Sequence, residues 1–322
     1  MRCDFQSQAT LEALHQRAQV LRFVRNFFDQ RGFIEVQTPV LCREAVIDRH
    51  LDPIPVKMRL PGSDSETWYL QTSPEQSMKR LLASGLSSIY QIGPVFRDGE
   101  LGRYHNPEFT MLEWYDVGAG YEAGQRLLCE LVEQTLSTPN STTMTFEHAF
   151  ENATGLKLFE SECAVLAKYA VDRELVLSVD WSADWDDWVN LLFSECVQST
   201  LGADEPTLIT NFPASQAALA RVSSEDSRTA ERYELFYRGI ELANGYHELL
   251  DANVLRERDR VNNTGRVQDG KQPLPECSKL LAAMESGIPA CSGCALGFDR
   301  LVMLACQASE IKEVVSFTAE RA

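Results

Sequence analysis

The chain has 322 residues, room for one large or two small domains, and 44% of them are hydrophobic, enough for a sizeable core. No run approaches the ~18 apolar residues that a membrane span needs. Its formal net charge of −17 weighs against nucleic acid, because nucleic-acid surfaces carry basic patches that neutralise phosphates.

Acidic runs at 183–187 (Ala-Asp-Trp-Asp-Asp) and Glu225-Asp226 point the same way. Nine scattered cysteines, an odd number, fit reduced cytoplasmic thiols rather than a disulfide framework. Met1-Arg2-Cys3-Asp4-Phe5 opens no secretory apolar stretch.

Residues 10–31 carry Leu11, Leu14, Ala18, Leu21, Val24 and Phe28 at spacings of three and four. That predicts an amphipathic helix, capped by Thr10 and closed by Gly32. Phe33-Ile34-Glu35-Val36 alternates as a strand and stops at Thr38-Pro39, where proline removes a ladder donor. A turn at Pro61-Gly62-Ser63-Asp64 leads into a strand from Thr67 to Gln71. Ser73-Pro74-Glu75-Gln76 reads as a helix start, with serine as cap, proline at the first helical position and Gln76 closing a capping box. This helix is expected to stop at Gly85.

The stretch from Val95 to Tyr115 is the most informative. It reads as strand, polar loop, strand, with Arg97 closing the first strand. Phe109, Met111, Glu113 and Tyr115 share one face of the second. A cation above a loop and a carboxylate below it suit a ligand with a phosphate at one end and an amine at the other. Residues 122–136 form a helix with Leu127, Leu128, Leu131 and Val132 inward, and 141–205 read as mostly helical. Strands return at 207–210, 218–222 and 231–243, followed by a hairpin turn at Asn244-Gly245. Residues 262–275 read as a polar loop and 276–286 as a short helix. From Ser292 to Ala305 a strand turns at Gly297 into a helix. There is no repeat, no linker and no regular βαβ alternation, which favours an α+β domain: an antiparallel sheet flanked by helices.

Arg97 and Arg300 are candidate phosphate ligands, since guanidinium is a permanently charged planar fork; taken alone, each reads first as a surface ion pair. Glu241 and Glu248 flank the expected hairpin and are candidates for Mg²⁺, which takes carboxylates together with phosphate oxygens. Ser73, Glu75, Glu113, Tyr115 and Asn244 suit a cationic amino acid, because an inward-facing Glu113 needs a cation or a structural partner. Cys291-Ser292-Gly293-Cys294 lacks the second half of a zinc site and reads as two buried thiols. His105 reads as a loop histidine that touches phosphate at most.

Gly32 to Pro39, Phe96-Arg97 through Glu108-Phe109, and Gly297-Phe298-Asp299-Arg300 together resemble motifs 1, 2 and 3 of a class II aminoacyl-tRNA synthetase catalytic core. Arg103 to Met111 and Gly239 to Gly245 are similar to the lysyl-tRNA synthetases, and closer still to their stand-alone paralogues, the elongation factor P (R)-β-lysine ligase family. Asn211 to Gln216 and Cys291-Ser292-Gly293 extend the likeness over essentially the whole chain. The resemblance implies one catalytic domain over 1–322 without the anticodon-binding domain, as only about 30 residues precede motif 1. It implies activation of (R)-β-lysine with ATP and Mg²⁺, and transfer to a lysine ε-amine of elongation factor P. It further implies a cytoplasmic homodimer with neither tRNA nor membrane as partner.

Carried over by residue, Ser73, Pro74, Glu75, Tyr115 and Glu248 contact the amino acid, with Glu113 and Asn244 nearby. Arg97, Asp98, Gly99, Asn106, Glu241, Leu242 and Gly297 map onto ATP positions, and Arg300 reaches the γ-phosphate. Arg97 and Arg300 are thereby the catalytic cations, and Glu241 and Glu248 the metal carboxylates. Two positions depart from the pattern. Motif 2 runs Arg, any residue, Glu; here Gly99 is third, and Asp98 or Glu100 is expected to substitute. Ala295 stands where the lysyl synthetases place glycine, and its methyl is expected to reshape the pocket floor towards the β-amino isomer. The alternative readings are an adenylate-forming ligase with a small amine acceptor, a non-catalytic regulatory subunit, and lysyl-tRNA charging.

Overall fold

The computed structural model describes residues 5–62, 64–176 and 184–322. Residues 1–4 of the N-terminal reading, Ser63 of the expected turn and Ala183 of the acidic run lie outside the described residues. The chain divides into two compact units, Met1–Gly120 with Glu248–Ala322, and Tyr121–His247.

The first unit opens with α1 (Leu11–Asp29), capped as expected by Thr10, whose hydroxyl accepts from the Ala13 amide at 3.1 Å. The strand expected at 33–36 is short, β1 (Ile34–Glu35). Then come β2 (Leu41–Cys42), β3 (Pro55–Met58) and β4 (Glu66–Leu70), a separate antiparallel sheet in the order β2-β4-β3. α2 (Glu75–Ala83) follows, and its start differs from expectation. Pro74 is the cap residue and no capping box forms. The Ser73 hydroxyl is shared, accepting from the Glu75 amide at 3.0 Å while donating to Glu113, and Gln76 reaches the Cys277 sulfur at 2.8 Å instead. β5 (Ile89–Phe96) and β6 (Glu108–Val117) are the two strands of the central motif.

The second unit runs α3 (Tyr121–Leu136), β7 (Thr142–Thr145), α4 (Phe146–Thr154), α5 (Cys163–Asp172), α6 (Trp185–Leu192), β8 (Thr207–Pro213), β9 (Thr229–Tyr237) and β10 (Ile240–His247). Its strands are ordered β10-β9-β8-β7, antiparallel except for the β7–β8 pair. Phe146, Phe150, Trp188, Phe193, Phe212 and Phe236 build its core. The strand expected at 218–222 is absent; Val222 makes only an isolated bridge to Ala230, and Ala218 adopts φ +46°. The expected hairpin turn also moves. Arg238 and Gly239, at φ +53° and +72°, make the turn, the left-handed pair that a two-residue hairpin demands. Asn244 and Gly245 lie inside β10. Gly245 is needed there for close approach: a Cβ would sit 2.4 Å from the Tyr233 ring directly across the ladder.

The first unit resumes with α7 (Ala252–Gln268), α8 (Ser278–Gly287), β11 (Cys291–Gly297) and α9 (Phe298–Ala305). The polar loop expected at 262–275 is helical as far as Gln268. The side chains of Asn262 and Asn263 serve packing, donating to the carbonyls of Ile47 and Leu274 at 3.2 and 3.0 Å. Gly265 lies under the Arg49 side chain, with 2.7 Å between Cδ and an added Cβ.

The main strands of this unit are ordered β1-β5-β6-β11, antiparallel except for the β1–β5 pair. One face carries Tyr90, Leu112 and Trp114. Phe28 of α1 stacks on Tyr90 at 4.8 Å and leans on Trp114 at 5.3 Å. Each such burial is worth roughly 1.5–3 kcal/mol, against ~0–1 for an ion pair in solvent such as Arg25–Glu35, so apolar packing seats α1. α9 is tied in by Asp299, which pairs with Arg17 at 2.5 Å and accepts from the Thr110 amide at 2.9 Å. Among the described residues no helix is long and apolar enough to cross a membrane.

Candidate active site

The opposite face of the β5-β6-β11 ladder holds the chemistry. Period-two alternation and the register put Gln91, Glu113 and Ala295 in one row, Gly93, Met111 and Gly297 in the next, and Tyr115 beside Gly293. Gly93, Ala295 and Gly297 keep one end of this face low, as a ligand lying on the strands requires. At the other end α2 packs over it, with Met78 and Leu82 against Ile89, Tyr115 and Cys291.

Under the start of α2 the acids converge. Buried Glu113 accepts from the hydroxyls of Ser73 and Tyr115, each at 2.7 Å. Burial, with the Glu75 charge beside it, pushes its carboxyl up to about 8, against the pull of the two hydroxyls and Lys79. Lys79 is 3% exposed and lies within ion-pair distance of Glu75 and 2.6 Å from Glu248 Oε2. Burial alone would discharge the ammonium, but Glu248 and Glu75 outweigh it and raise its pKa. Glu248 is itself buried, and its other oxygen approaches the backbone of Gly293, where an added Cβ would meet Oε1 at 2.2 Å. Behind Glu75, burial and the charges of Glu75 and Glu276 lift buried Asp259 on α7 to about 7. The structure thus brings Ser73, Glu75, Glu113, Tyr115 and Glu248 together. Pro74 is buried at the helix start and Ala295 stands directly opposite Glu113.

Lys79 is the residue sequence reasoning misses. Its signal is the Glu75–Lys79 spacing of four on the same helical stripe as Met78 and Leu82, all buried. The partner expected for Glu113 is, within the chain, a structural one: the hydroxyls of Ser73 and Tyr115.

At the other end, Arg97 follows β5 with its guanidinium 5.0 Å from the Phe109 ring centre and 3.6 Å from Glu100. Glu100 is therefore the acid that pairs with the motif 2 arginine. Gly99, at φ +76° with open space around its Cα, supplies the left-handed turn that brings Glu100 back. The Asp98 amide donates to the Asp52 carbonyl at 2.8 Å, and Asp52 pairs with Arg266 and Lys271 at 2.9 and 2.8 Å. Arg300, at the start of α9, places Nη2 2.6 Å from His105 Nε2, so the imidazole accepts there and carries its proton on Nδ1. The C-terminal segment clasps this loop. Arg103 donates to the Ser309 carbonyl at 2.8 Å, the Ile311 amide donates to the Arg103 carbonyl at 2.9 Å, and the Ala319 amide donates to Asn106 Oδ1 at 2.9 Å. Asn106, buried, also donates to the Glu108 carbonyl at 2.6 Å, so its amide orders the loop. A Cβ added at Gly297 would make only ordinary contact with the Arg300 stem.

Glu241, Leu242 and Asn244 lie on β10 in the second unit. A register shift between Glu241 and Ala243 accommodates buried Leu242, and Asn244 faces Glu234 across the ladder. Burial raises Glu234 to about 7, with Arg232 lowering it and Glu241 raising it. Among the described residues no group of three or more His, Cys, Asp or Glu side chains could hold a metal ion. Glu248 does not fit Mg²⁺ as it stands, because its Oε2 already accepts from the Lys79 ammonium at 2.6 Å, whose charge repels a divalent cation. Cys291 and Cys294 are buried free thiols, three residues apart and so on opposite faces of β11.

An antiparallel ladder with Arg97 just after β5 and Arg300 just after β11 agrees with what sequence comparison finds. The chain matches the model of the class II tRNA synthetases (D, K and N) over residues 2–321, which sets its class. The elongation factor P–(R)-β-lysine ligase of Klebsiella pneumoniae subsp. pneumoniae is 42% identical over 319 residues, 99% of this chain and 98% of the relative. The ligase of the same name from Yersinia pestis is 41% identical over 315 residues, 98% and 97% of the two chains. The chain belongs to the elongation factor P–(R)-β-lysine ligase family.

Proposed function

We propose that this chain is an ATP-using ligase that activates (R)-β-lysine as its adenylate and passes the acyl group to a lysine ε-amine of elongation factor P. Family membership supports the class of reaction. The observation that carries the substrate is a charge imbalance: the buried carboxylates of Glu75 and Glu248 face one buried ammonium, that of Lys79, with Glu113 beside them pushed towards its neutral form by burial. Uncompensated buried carboxylates are costly, so the cluster favours a ligand that brings ammonium groups of its own.

A carboxylate oxygen of the amino acid attacks the α-phosphorus in line, and the bond to pyrophosphate breaks. Arg97 neutralises charge on the α-phosphate and the carboxylate, and Arg300 on the γ-phosphate. Glu113, Tyr115 and Glu248 hold the substrate amine, so that positioning supplies much of the acceleration. The neutral acceptor amine then attacks the acyl carbon and AMP leaves. Mg²⁺, when bound with the phosphates, screens their charge, and Glu241 is the carboxylate assigned to it. Asp98, Gly99, Asn106, Leu242 and Gly297 are read as the nucleotide surround, and Ser73, Pro74, Glu75, Asn244 and Ala295 as the amino-acid surround.

Both compact units are read as one catalytic domain, because the family match runs through them from residue 2 to 321. A cytoplasmic homodimer is proposed; the segment resembling motif 1, a dimer-interface element, supports the dimer, and the free thiols of the described cysteines support the compartment.

The test is ATP–pyrophosphate exchange with α-lysine and both β-lysine enantiomers, followed by transfer of labelled amino acid to purified elongation factor P. Exchange is expected to be fastest with (R)-β-lysine, and label to appear on the protein. Label on a small amine instead would favour the small-acceptor ligase. No exchange with any isomer would favour a non-catalytic subunit.

A further inference from the structure

We propose that Lys79 is a positioning residue of the amino-acid pocket: its buried ammonium holds the carboxylates of Glu75 and Glu248 in the one arrangement that accepts the substrate's ammonium groups. The proposal rests on the functional reading above.

Lys79 is the buried lysine among the described residues. Lysines are almost never buried without a partner, and this one has two. Glu75 lies one turn back on α2, and Glu248 follows β10 far along the chain. The ammonium therefore joins an acid of the helix start to an acid beside β11, whose Cys291 carbonyl accepts from the Glu248 amide at 3.1 Å. Glu248 is fixed on its other side as well, since Oε1 lies against Gly293. The Tyr115 ring, with its centre 5.7 Å from the Lys79 nitrogen, closes the cage below. Glu113 is held differently, by two hydroxyls, and takes no short contact from Lys79. The pocket thus contains two acids oriented by an internal cation and one oriented by neutral donors. Without that cation, Glu75 and Glu248 repel each other and turn from their present directions. Nothing in this geometry brings Lys79 to the nucleotide side of the ladder, where Arg97 and Arg300 stand.

The test compares the parent enzyme with K79M, which keeps the length of the side chain and removes its charge, and K79R, which keeps the charge. In ATP–pyrophosphate exchange K79M is expected to raise the KM for β-lysine about tenfold or more, the scale of a misplaced binding group. The KM for ATP should stay within about twofold and K79R should restore the β-lysine KM to within about threefold of the parent. Parental KM values in K79M, or an equal defect in K79R, overturn the proposal. A parent inactive with every lysine isomer defeats the functional reading instead, and this proposal with it. If K79M does not fold, ¹⁵N-lysine NMR of the parent decides. One ammonium in slow exchange with water that shifts on adding β-lysine alone supports the role; no such signal, or one that does not respond, overturns it.

Discussion

Replacing Gly293 by alanine adds one methyl where β11 passes beneath the acidic cluster. Its carbon would lie 2.2 Å from Glu248 Oε1 and 2.5 and 2.7 Å from two carbons of the Tyr115 ring. These are about 1 Å inside ordinary contact. Neither neighbour yields easily. Glu248 is held by Lys79, and Tyr115 is bonded to Glu113 and packed among Met78, Leu82, Ile89 and Cys291. Overpacking a filled interior costs roughly 1–3 kcal/mol of stability. A shift of about 1 Å in a binding group costs about 10²-fold in rate, or ~2.7 kcal/mol of the barrier. In ATP–pyrophosphate exchange, G293A is therefore expected to lose about a hundredfold in kcat/KM for β-lysine while the KM for ATP changes little. The thermal midpoint should fall by only several degrees. A soluble, folded G293A that keeps kcat/KM for β-lysine within about threefold would refute the reasoning, because the two contacts could then not be part of the binding geometry.

Three more outcomes follow from the same contacts. The Glu113 carboxyl, at about 8 in the folded protein, exceeds its unfolded value of about 4.3. The stability it contributes is full below the unfolded value and is lost as pH rises through about 8. E113Q should flatten that decline in denaturant midpoints between about pH 5 and 8, with Asp259 and Glu234, both near 7, leaving a residual slope of the same sign; an unchanged slope would count against the assignment. N106D sets an oxygen against the Glu108 carbonyl, and a buried unsatisfied pair costs about 1–3 kcal/mol; limited proteolysis should find the segment near Ala319 loosened together with a lower melting point. A295G removes the methyl opposite Glu113 and is expected to weaken the preference for β- over α-lysine in the exchange assay; an unaltered ratio would remove Ala295 from the selectivity account.

The parts of the fold that read correctly from sequence are those whose signal is local. Thr10 caps α1 because its hydroxyl satisfies an amide three residues on, and the alternation from Phe109 to Tyr115 survives because one face of β6 is buried against α2. The failures are positions where a distant neighbour decides. Asn244-Gly245 carries a stronger turn signal than Arg238-Gly239, yet the Tyr233 ring claims Gly245 for the strand. Asn262 and Asn263 look like loop residues until Ile47 and Leu274 offer carbonyls to them. In the candidate site Glu113 is legible as an inward-facing residue, but Lys79 is not, because a lysine on an amphipathic helix ordinarily reads as its wet side. Glu75, one turn back, and Glu248, over 150 positions downstream by sequence, together make its burial tolerable.

The clasp on the motif 2 loop has a consequence for the order of events in synthesis. Arg103 and Asn106 are held by Ser309, Ile311 and Ala319, and Asp52, which supports Asp98, by cations at 266 and 271. All of these follow Tyr121–His247 in the chain. The second unit is therefore synthesised while the proposed nucleotide loop still lacks every one of these fasteners. The connectivity acts as a timer, withholding the loop's working shape until the segments that follow the second unit have been made.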